Sequence, residues 1–150
     1  MPPSDCLSLP EDRRSNCPIS STLDLLGDKW TLLVVRDLLF LRKRRFGEFL
    51  ESPERIPTNI LTDRLRRLEE RGVVEKSPYS LRPPRYEYRL TPMGAELFHV
   101  LRAMAEWGLR NLPGTQAPPE EVLLRAYETA RRELAEGASG ETDSAEIPPP

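Results

Sequence analysis

The sequence is poor in the residues that usually carry metal and redox chemistry. It has two cysteines, Cys6 and Cys17, and one histidine, His99, in 150 residues. Two cysteines are too few for a disulfide framework, and without a Cys-x-x-Cys pair there is no ligand set for structural zinc. No run of 18 apolar residues exists, so no membrane-spanning helix is expected. Met1-Pro2-Pro3-Ser4-Asp5 lacks the basic start and apolar stretch of a secretory signal, which points to the cytoplasm. There is no glycine-rich phosphate loop, no nucleophile–base pair and no metal-ligand cluster, so the expectation is a non-enzyme without cofactors. A surplus of one charge is missing as well. The net charge is -2, which taken whole counts against a polyanionic partner.

The charge is unevenly placed. Residues 17–112 hold 17 Lys and Arg against 13 Asp and Glu, a balance of +4, and residues 42–89 alone reach +5. Residues 113–150 carry 3 Arg against 8 acids, a balance of -5. A modestly basic body is thus joined to an acidic tail, and the average conceals a candidate polyanion-binding surface.

The hydrophobic pattern is mainly helical. Pro18 opens a helix with Ile19, Leu23 and Leu26 at i, i+4 and i+7, and Gly27 offers its stop. Asp28 is a candidate N-cap for a second, very apolar helix over Lys29–Leu41, closed by Arg42-Lys43-Arg44-Arg45. Phe46–Leu50 forms a short helix, and Ser52-Pro53-Glu54-Arg55 a turn. The most regular segment is Thr58–Gly72. Leu61, Leu65 and Leu68 form its buried row, while Thr58, Asn59, Thr62, Asp63 and Arg66 lie opposite, with Arg64 and Arg67 near the edges.

Two strand-like runs follow, Val73–Ser77 and Tyr86–Leu90, joined by a proline-shaped basic loop over residues 78–85. Thr91-Pro92 is a cap and N1 pair for a long helix to about Asn111, ended by Pro113-Gly114. A last helix is expected from Pro119 to Glu136, with Leu123, Tyr127, Ala130 and Leu134 as its apolar stripe. The chain thus divides into a flexible arm (1–16), a folded body (17–112), a linker with C-terminal helix (113–136) and an acidic, proline-rich tail expected to be disordered (137–150).

The order is helix, helix, short helix, polar-faced helix, hairpin, long helix. A helix-turn-helix followed by a two-stranded hairpin is the winged-helix arrangement, a mainly α fold with a small β-hairpin. The major groove of B-DNA admits one helix, and short polar side chains there reach base edges. Asn59 can pair with adenine in a bidentate way, and Thr58 and Thr62 can donate, accept or touch a thymine methyl. Arg66 or Arg64 can read guanine or hold phosphate. Arg82, Pro84 and Arg85 on the loop can lie on the backbone or in a minor groove, and Arg44 and Arg45 can clamp phosphate.

These parts carry a family resemblance. Cys17-Pro18-Ile19, Leu26-Gly27-Asp28-Lys29-Trp30-Thr31 and Arg45-Phe46-Gly47-Glu48-Phe49 occur in order. Ile60-Leu61-Thr62-Asp63-Arg64-Leu65, Leu68-Glu69 and Gly72-Val73-Val74 follow, then Pro83-Pro84-Arg85-Tyr86-Glu87-Tyr88, Leu90-Thr91-Pro92-Met93-Gly94 and Trp107. Together they make residues 17–112 resemble the HxlR-type winged helix-turn-helix transcription regulators. The resemblance implies a homodimer that binds double-stranded operator DNA. It implies a dimer interface from the N- and C-terminal helices, for which Ile19, Leu23, Leu101, Trp107, Leu123 and Tyr127 are the candidates. Three features depart from the family pattern. Pro57 stands where a capping serine is common, Asp63 puts a negative charge on the outward face, and the tail extends past the family core.

Some family members sense oxidants or electrophiles with a cysteine where Cys17 stands. Cys17 falls at a helix start just after Arg13 and Arg14, a setting that suits a reactive thiol. The alternative is a small packed thiol with no signalling role. Cys6 is a candidate resolving partner. Trp30, Trp107, Phe98 and Tyr127 either line a small-molecule cavity or pack core and interface. The C-terminal stripe suits a dimer or docking helix better than a membrane-surface helix, because its polar face is acidic. Against the DNA-binding reading stands a winged-helix module that binds protein alone.

Overall fold

In the computed structural model, residues 13–139 are described. Seven helices and two strands follow one another: α1 Pro18–Leu26, α2 Thr31–Leu39, α3 Phe46–Leu50, α4 Thr58–Glu70, β1 Val74–Leu81, β2 Pro84–Leu90, α5 Pro92–Ala95, α6 Phe98–Asn111 and α7 Glu120–Ser139. The leucine row of α4 is the centre of the core. Leu61, Leu65 and Leu68 are fully buried against Val34, Val35 and Leu38 of α2, Phe49 of α3, Ile56, Val73 and Val74. Burying such side chains stabilises each by roughly 1.5–3 kcal/mol, so this row fixes α4 against α2 and leaves its other side outward.

Local chemistry sets the element ends. The Asp28 carboxylate accepts from the N–H groups of Trp30 at 2.9 Å and Thr31 at 3.1 Å and from the Thr31 hydroxyl, so it caps α2 as the sequence suggests. The regular helix is shorter than Lys29–Leu41. It starts at Thr31 and stops at Leu39, and Arg42 then turns into the left-handed region at φ 53°. Helix α4 ends in a Schellman motif. Gly72 takes φ 72°, its N–H donates to Glu69 O at 3.0 Å, and the Val73 N–H donates to Leu68 O at 2.9 Å. That turn delivers Val73 and Val74 straight into the core.

β1 and β2 pair antiparallel from Val74↔Leu90 to Leu81↔Pro84, with an irregularity between Pro78 and Ser80. The hairpin is therefore longer and its turn tighter than the expected loop over 78–85: only Arg82 and Pro83 lie between the strands. Pro78 sits in β1 at the edge of a two-stranded sheet, where its missing N–H is tolerated. A short third segment joins the base. Arg45 bridges Glu87, and the Tyr88 N–H donates to Arg44 O at 2.7 Å.

The expected single helix from Thr91 to Asn111 is two. Thr91 caps α5 by accepting from the Gly94 N–H at 3.1 Å, but the chain tightens at Glu96 and Leu97. The N–H groups of Leu97 and His99 donate three residues back, to Gly94 O at 3.1 Å and Glu96 O at 3.2 Å. This re-aims the next turn so that Phe98 is buried. Gly94 is needed where α5 passes the residue before β1: an added Cβ would stand 2.1 Å from Val73 O.

Helix α7 folds back over α2 and α5. The Tyr127 ring stacks on Phe98 at 4.1 Å and 12°, and its hydroxyl lies 3.2 Å from His99 Nε2. The helix continues through Ser139, three residues past its expected end. The rest of the tail, 140–150, and most of the N-terminal arm, 1–12 with Cys6, lie outside the described residues. Residues 13–16 run onto α1: Arg14 Nε donates to Asp24 Oδ1 at 2.6 Å, and the Ser21 hydroxyl donates to Ser15 O at 3.3 Å.

Candidate nucleic-acid interface

The turn before α4 is locked by a buried carboxylate. Asp37 on α2 is 3% exposed and accepts from Arg36 at 2.8 Å, from Lys43 at 3.3 Å and from the Ser52 hydroxyl. Lys43 Nζ also donates to Ser52 Oγ at 2.5 Å, and Arg36 reaches Glu54 at 2.6 Å. The Arg36 hydrogen bond holds the Glu54 carboxyl down at about 2 against some opposition from burial. Nothing in the hydrophobic pattern signals this network. It comes from residues read only as parts of an apolar helix, a turn and a basic cluster.

With α2, α3 and the turn fixed, α4 presents Thr58, Asn59, Thr62 and Arg66, all exposed. Among the described residues no partner engages the Asn59 amide. The Thr62 hydroxyl donates to Thr58 O at 2.9 Å, which leaves its oxygen as an acceptor. Arg66 lies between Asp63 at 2.9 Å and Glu70 at 2.7 Å, and those bonds raise its already high pKa and lower that of Asp63. The repulsion that Asp63 would exert on phosphate is thus met by neighbouring guanidiniums.

Three arginines grouped with the contact residues turn inward. Arg64 Nε donates to Asp28 Oδ1 at 2.9 Å, Arg64 Nη1 donates to Asp63, and only 17% of its side chain is exposed. Arg67 Nη2 reaches back to Asp24 O on α1 at 3.5 Å. Arg44 Nη1 donates to Leu38 O at 2.9 Å and Lys43 O at 3.0 Å, closing the C-terminal end of α2. Each ties α4 or the turn to its neighbours, because buried carbonyl and carboxylate oxygens need donors.

The hairpin tip is open. Arg82, Pro84 and Arg85 are exposed at the end of a stiff two-strand arm. Behind them the Arg45 guanidinium stacks over Tyr79 at 4.2 Å, and Lys76 over Tyr86 at 4.4 Å. Arg45 is exposed and its side chain lies against the wing through Tyr79, whereas the Arg44 side chain turns to Leu38 O and Lys43 O.

The residues expected at a dimer contact divide. Ile19, Leu23 and Trp107 are 71%, 52% and 57% exposed on α1 and α6. Leu101 packs on the core, Leu123 is half-buried, and Tyr127 is stacked on Phe98 of its own chain. Trp30, Trp107, Phe98 and Tyr127 do not gather round one cavity. Trp30 lines a small cleft with Phe49 and Ile56, Trp107 is exposed, and Phe98 and Tyr127 fill their own stack. Cys17 is exposed at the N-cap of α1, and its N–H donates to Ser15 Oγ at 3.2 Å. Among the described residues, no helix is long and apolar enough to cross a membrane.

Comparison with known proteins matches this arrangement. The HxlR-like helix-turn-helix family model covers residues 25–116. The HTH-type transcriptional regulator MT3179 of Mycobacterium tuberculosis is 41% identical over 109 residues, which are 73% of this chain and 66% of that protein. The chain therefore spans just under two thirds of that relative's length. Among solved structures, PA1607, a candidate transcription factor, superposes with TM-score 0.62 at 39% identity over 71% of this chain and 74% of its own. The redox regulator HypR in its oxidised form gives TM-score 0.57 at 38% identity, over 63% of this chain and 97% of its own.

Proposed function

The chain belongs to the HxlR-like helix-turn-helix family, and from that premise we propose that it regulates transcription in the cytoplasm as a homodimer that binds double-stranded DNA sequence-specifically. The observation that carries this is the two-sided build of α4. Its leucine row is fully buried, while Thr58, Asn59, Thr62 and Arg66 stand on the outside, and the wing tip carries exposed Arg82, Pro84 and Arg85. In this reading α4 enters the major groove. Asn59 reads adenine, Arg66 reads guanine, and Thr58 and Thr62 supply short contacts. Arg82 and Arg85 with Pro84 follow the backbone or minor groove beside it, and Arg45 adds a phosphate contact.

Dimerisation is supported by the exposed apolar residues Ile19 and Leu23 on α1 and Trp107 on α6. A second copy covering them places two α4 helices on successive major grooves, about one helical turn or 34 Å apart. In the same reading Cys17 is the sensor. It is exposed at the start of the helix that carries Ile19 and Leu23, and HypR, a similar chain, is a redox regulator. Oxidation or electrophile attack at Cys17 then disturbs the dimer face and releases DNA.

The test is selection of duplexes from a random-sequence pool by the purified protein, followed by titration of the selected duplex against salt. The expected result is an enriched motif with two half-sites and an affinity that falls steeply as salt rises. A pool that stays unenriched, with no salt-dependent binding, leaves the alternative of a protein-binding module.

A further inference from the structure

This inference rests on the DNA-binding reading above and assigns roles within it. A line of alternating charge runs from the start of α2 along the outer side of α4. Asp28 accepts from Arg64 at 2.9 Å, Arg64 donates to Asp63, Asp63 accepts from Arg66 at 2.9 Å, and Arg66 donates to Glu70 at 2.7 Å. One end is fixed and the other free. Asp28 is held by two backbone N–H groups and the Thr31 hydroxyl, and the Arg64 side chain is only 17% exposed. Asp63 is 39% exposed, and Arg66 and Glu70 are 58% and 57% exposed. Water and salt compete at the free end, where such pairs are weak, and hardly at the fixed end.

We propose that Asp63 is a specificity-determining residue that selects a G·C base pair together with Arg66, and that Arg64, pinned by Asp28, is the positioning residue that holds it. The chemistry follows from the donor and acceptor pattern of the groove. Guanine offers N7 and O6 to an arginine fork, and its cytosine partner offers an amino N–H to a carboxylate. Asp63 and Arg66, one turn apart and already paired, present that complementary set side by side. Away from such a pair the same residues work against binding. The Asp63 carboxylate takes up the charge of Arg66 and Arg64 that phosphate would otherwise attract, and Arg66, flanked by Asp63 and Glu70, makes a poor free cation. The device raises discrimination by lowering affinity for DNA of the wrong sequence. Arg64 touches no DNA in this account.

The probes are the duplex selected by the wild-type protein and a scrambled duplex of the same length and composition. Affinity for both is measured across salt for wild type, Asp63→Asn, Arg64→Met and Arg64→Lys. Asp63→Asn is expected to bind the scrambled duplex several-fold more tightly, with a log–log salt slope steeper by about one. Its preference for the selected duplex falls about tenfold, the discrimination that one good base contact supplies. Arg64→Met loses discrimination while its affinity for the scrambled duplex is kept. Arg64→Lys, able to reach only one of the two carboxylates at a time, falls between. Asp63→Asn with wild-type discrimination overturns the proposal. So does Arg64→Met that weakens both duplexes by the same factor, which would make Arg64 a phosphate contact. Should Arg64→Met fail to fold, the exposed Asp63 variant still decides. A wild-type protein that enriches no sequence overturns the DNA-binding reading itself, and this inference with it.

Discussion

Arg64 of α4 and Asp28 at the start of α2 are 36 positions apart, and the Arg64 Nε donates to Asp28 Oδ1 at 2.9 Å. The same carboxylate accepts from the N–H groups of Trp30 and Thr31. One side chain therefore both caps the core helix and holds the polar-faced helix against it.

This gives a pH signature. Burial tends to raise the Asp28 carboxyl, but hydrogen bonds from Thr31, the Trp30 N–H and Arg64 outweigh it and bring it from 3.8 to about 2. A carboxylate with a lower pKa folded than unfolded stabilises the fold fully above its unfolded value. That stabilisation is lost as pH falls through the folded one. Urea midpoints should drop between about pH 4 and pH 2, with Asp28 contributing on the order of 1–2 kcal/mol. Asp28→Asn is expected to be less stable at neutral pH and to lack this part of the acid decline. An acid profile identical to wild type would show that the carboxylate is not engaged.

Asp37 makes a different demand. It is 3% exposed among Arg36, Lys43 and Ser52. Asp37→Ala leaves the half-buried Lys43 without its carboxylate and the buried Ser52 hydroxyl without its acceptor, while Arg36 keeps Glu54, and is expected to cost about 1–3 kcal/mol. The measurement is the denaturant midpoint, compared with an exposed control such as Glu51→Ala that changes stability by less than about 0.5 kcal/mol. A loss for Asp37→Ala no larger than the control's would remove the network from the account of how α4 is placed.

Trp107 and Leu23 test the dimer. Each is more than half exposed, at 57% and 52%. A double change, Leu23→Glu with Trp107→Glu, should leave the fold intact by circular dichroism and halve the mass seen by analytical ultracentrifugation. Operator affinity should fall by orders of magnitude, because the second half-site contact is lost. A variant that remains dimeric places the interface elsewhere.

Cys17 tests the sensor. Mild oxidant is expected to release the wild-type protein from its selected duplex, and a reductant to restore binding. Cys17→Ser should bind DNA as wild type does and ignore the oxidant. Equal release from both proteins assigns the response to another group.

The sequence made the order of elements legible because each boundary has a local cause. Pro18, Asp28, Gly72 and Thr91-Pro92 act within a turn of where they stand, and the Leu61, Leu65 and Leu68 row shows its period directly. Tertiary partners decided the rest. The break at Glu96 and Leu97 follows from burying Phe98 and from the approach of Gly94 to Val73. No periodicity encodes that. Among the candidate contacts, the outward position of Thr58, Asn59, Thr62 and Arg66 was legible from helical phase. Arg64, Arg67 and Arg44 were not, because a long side chain near the edge of a face can turn either way. Asp28 and Asp24 O, distant in sequence, set the direction of Arg64 and Arg67, and Leu38 O at the end of α2 sets that of Arg44. The same holds for Tyr127, whose partner is Phe98 of its own chain.

The most direct test compares Asn59→Ala with Arg85→Ala on the selected and the scrambled duplex, at matched salt. If α4 reads bases and the wing holds the backbone, Asn59→Ala lowers affinity for the selected duplex by roughly 1–3 kcal/mol and barely changes the scrambled one. Arg85→Ala then weakens both by a similar factor and flattens the salt slope by about one. Two variants that bind both duplexes as tightly as wild type would contradict the account.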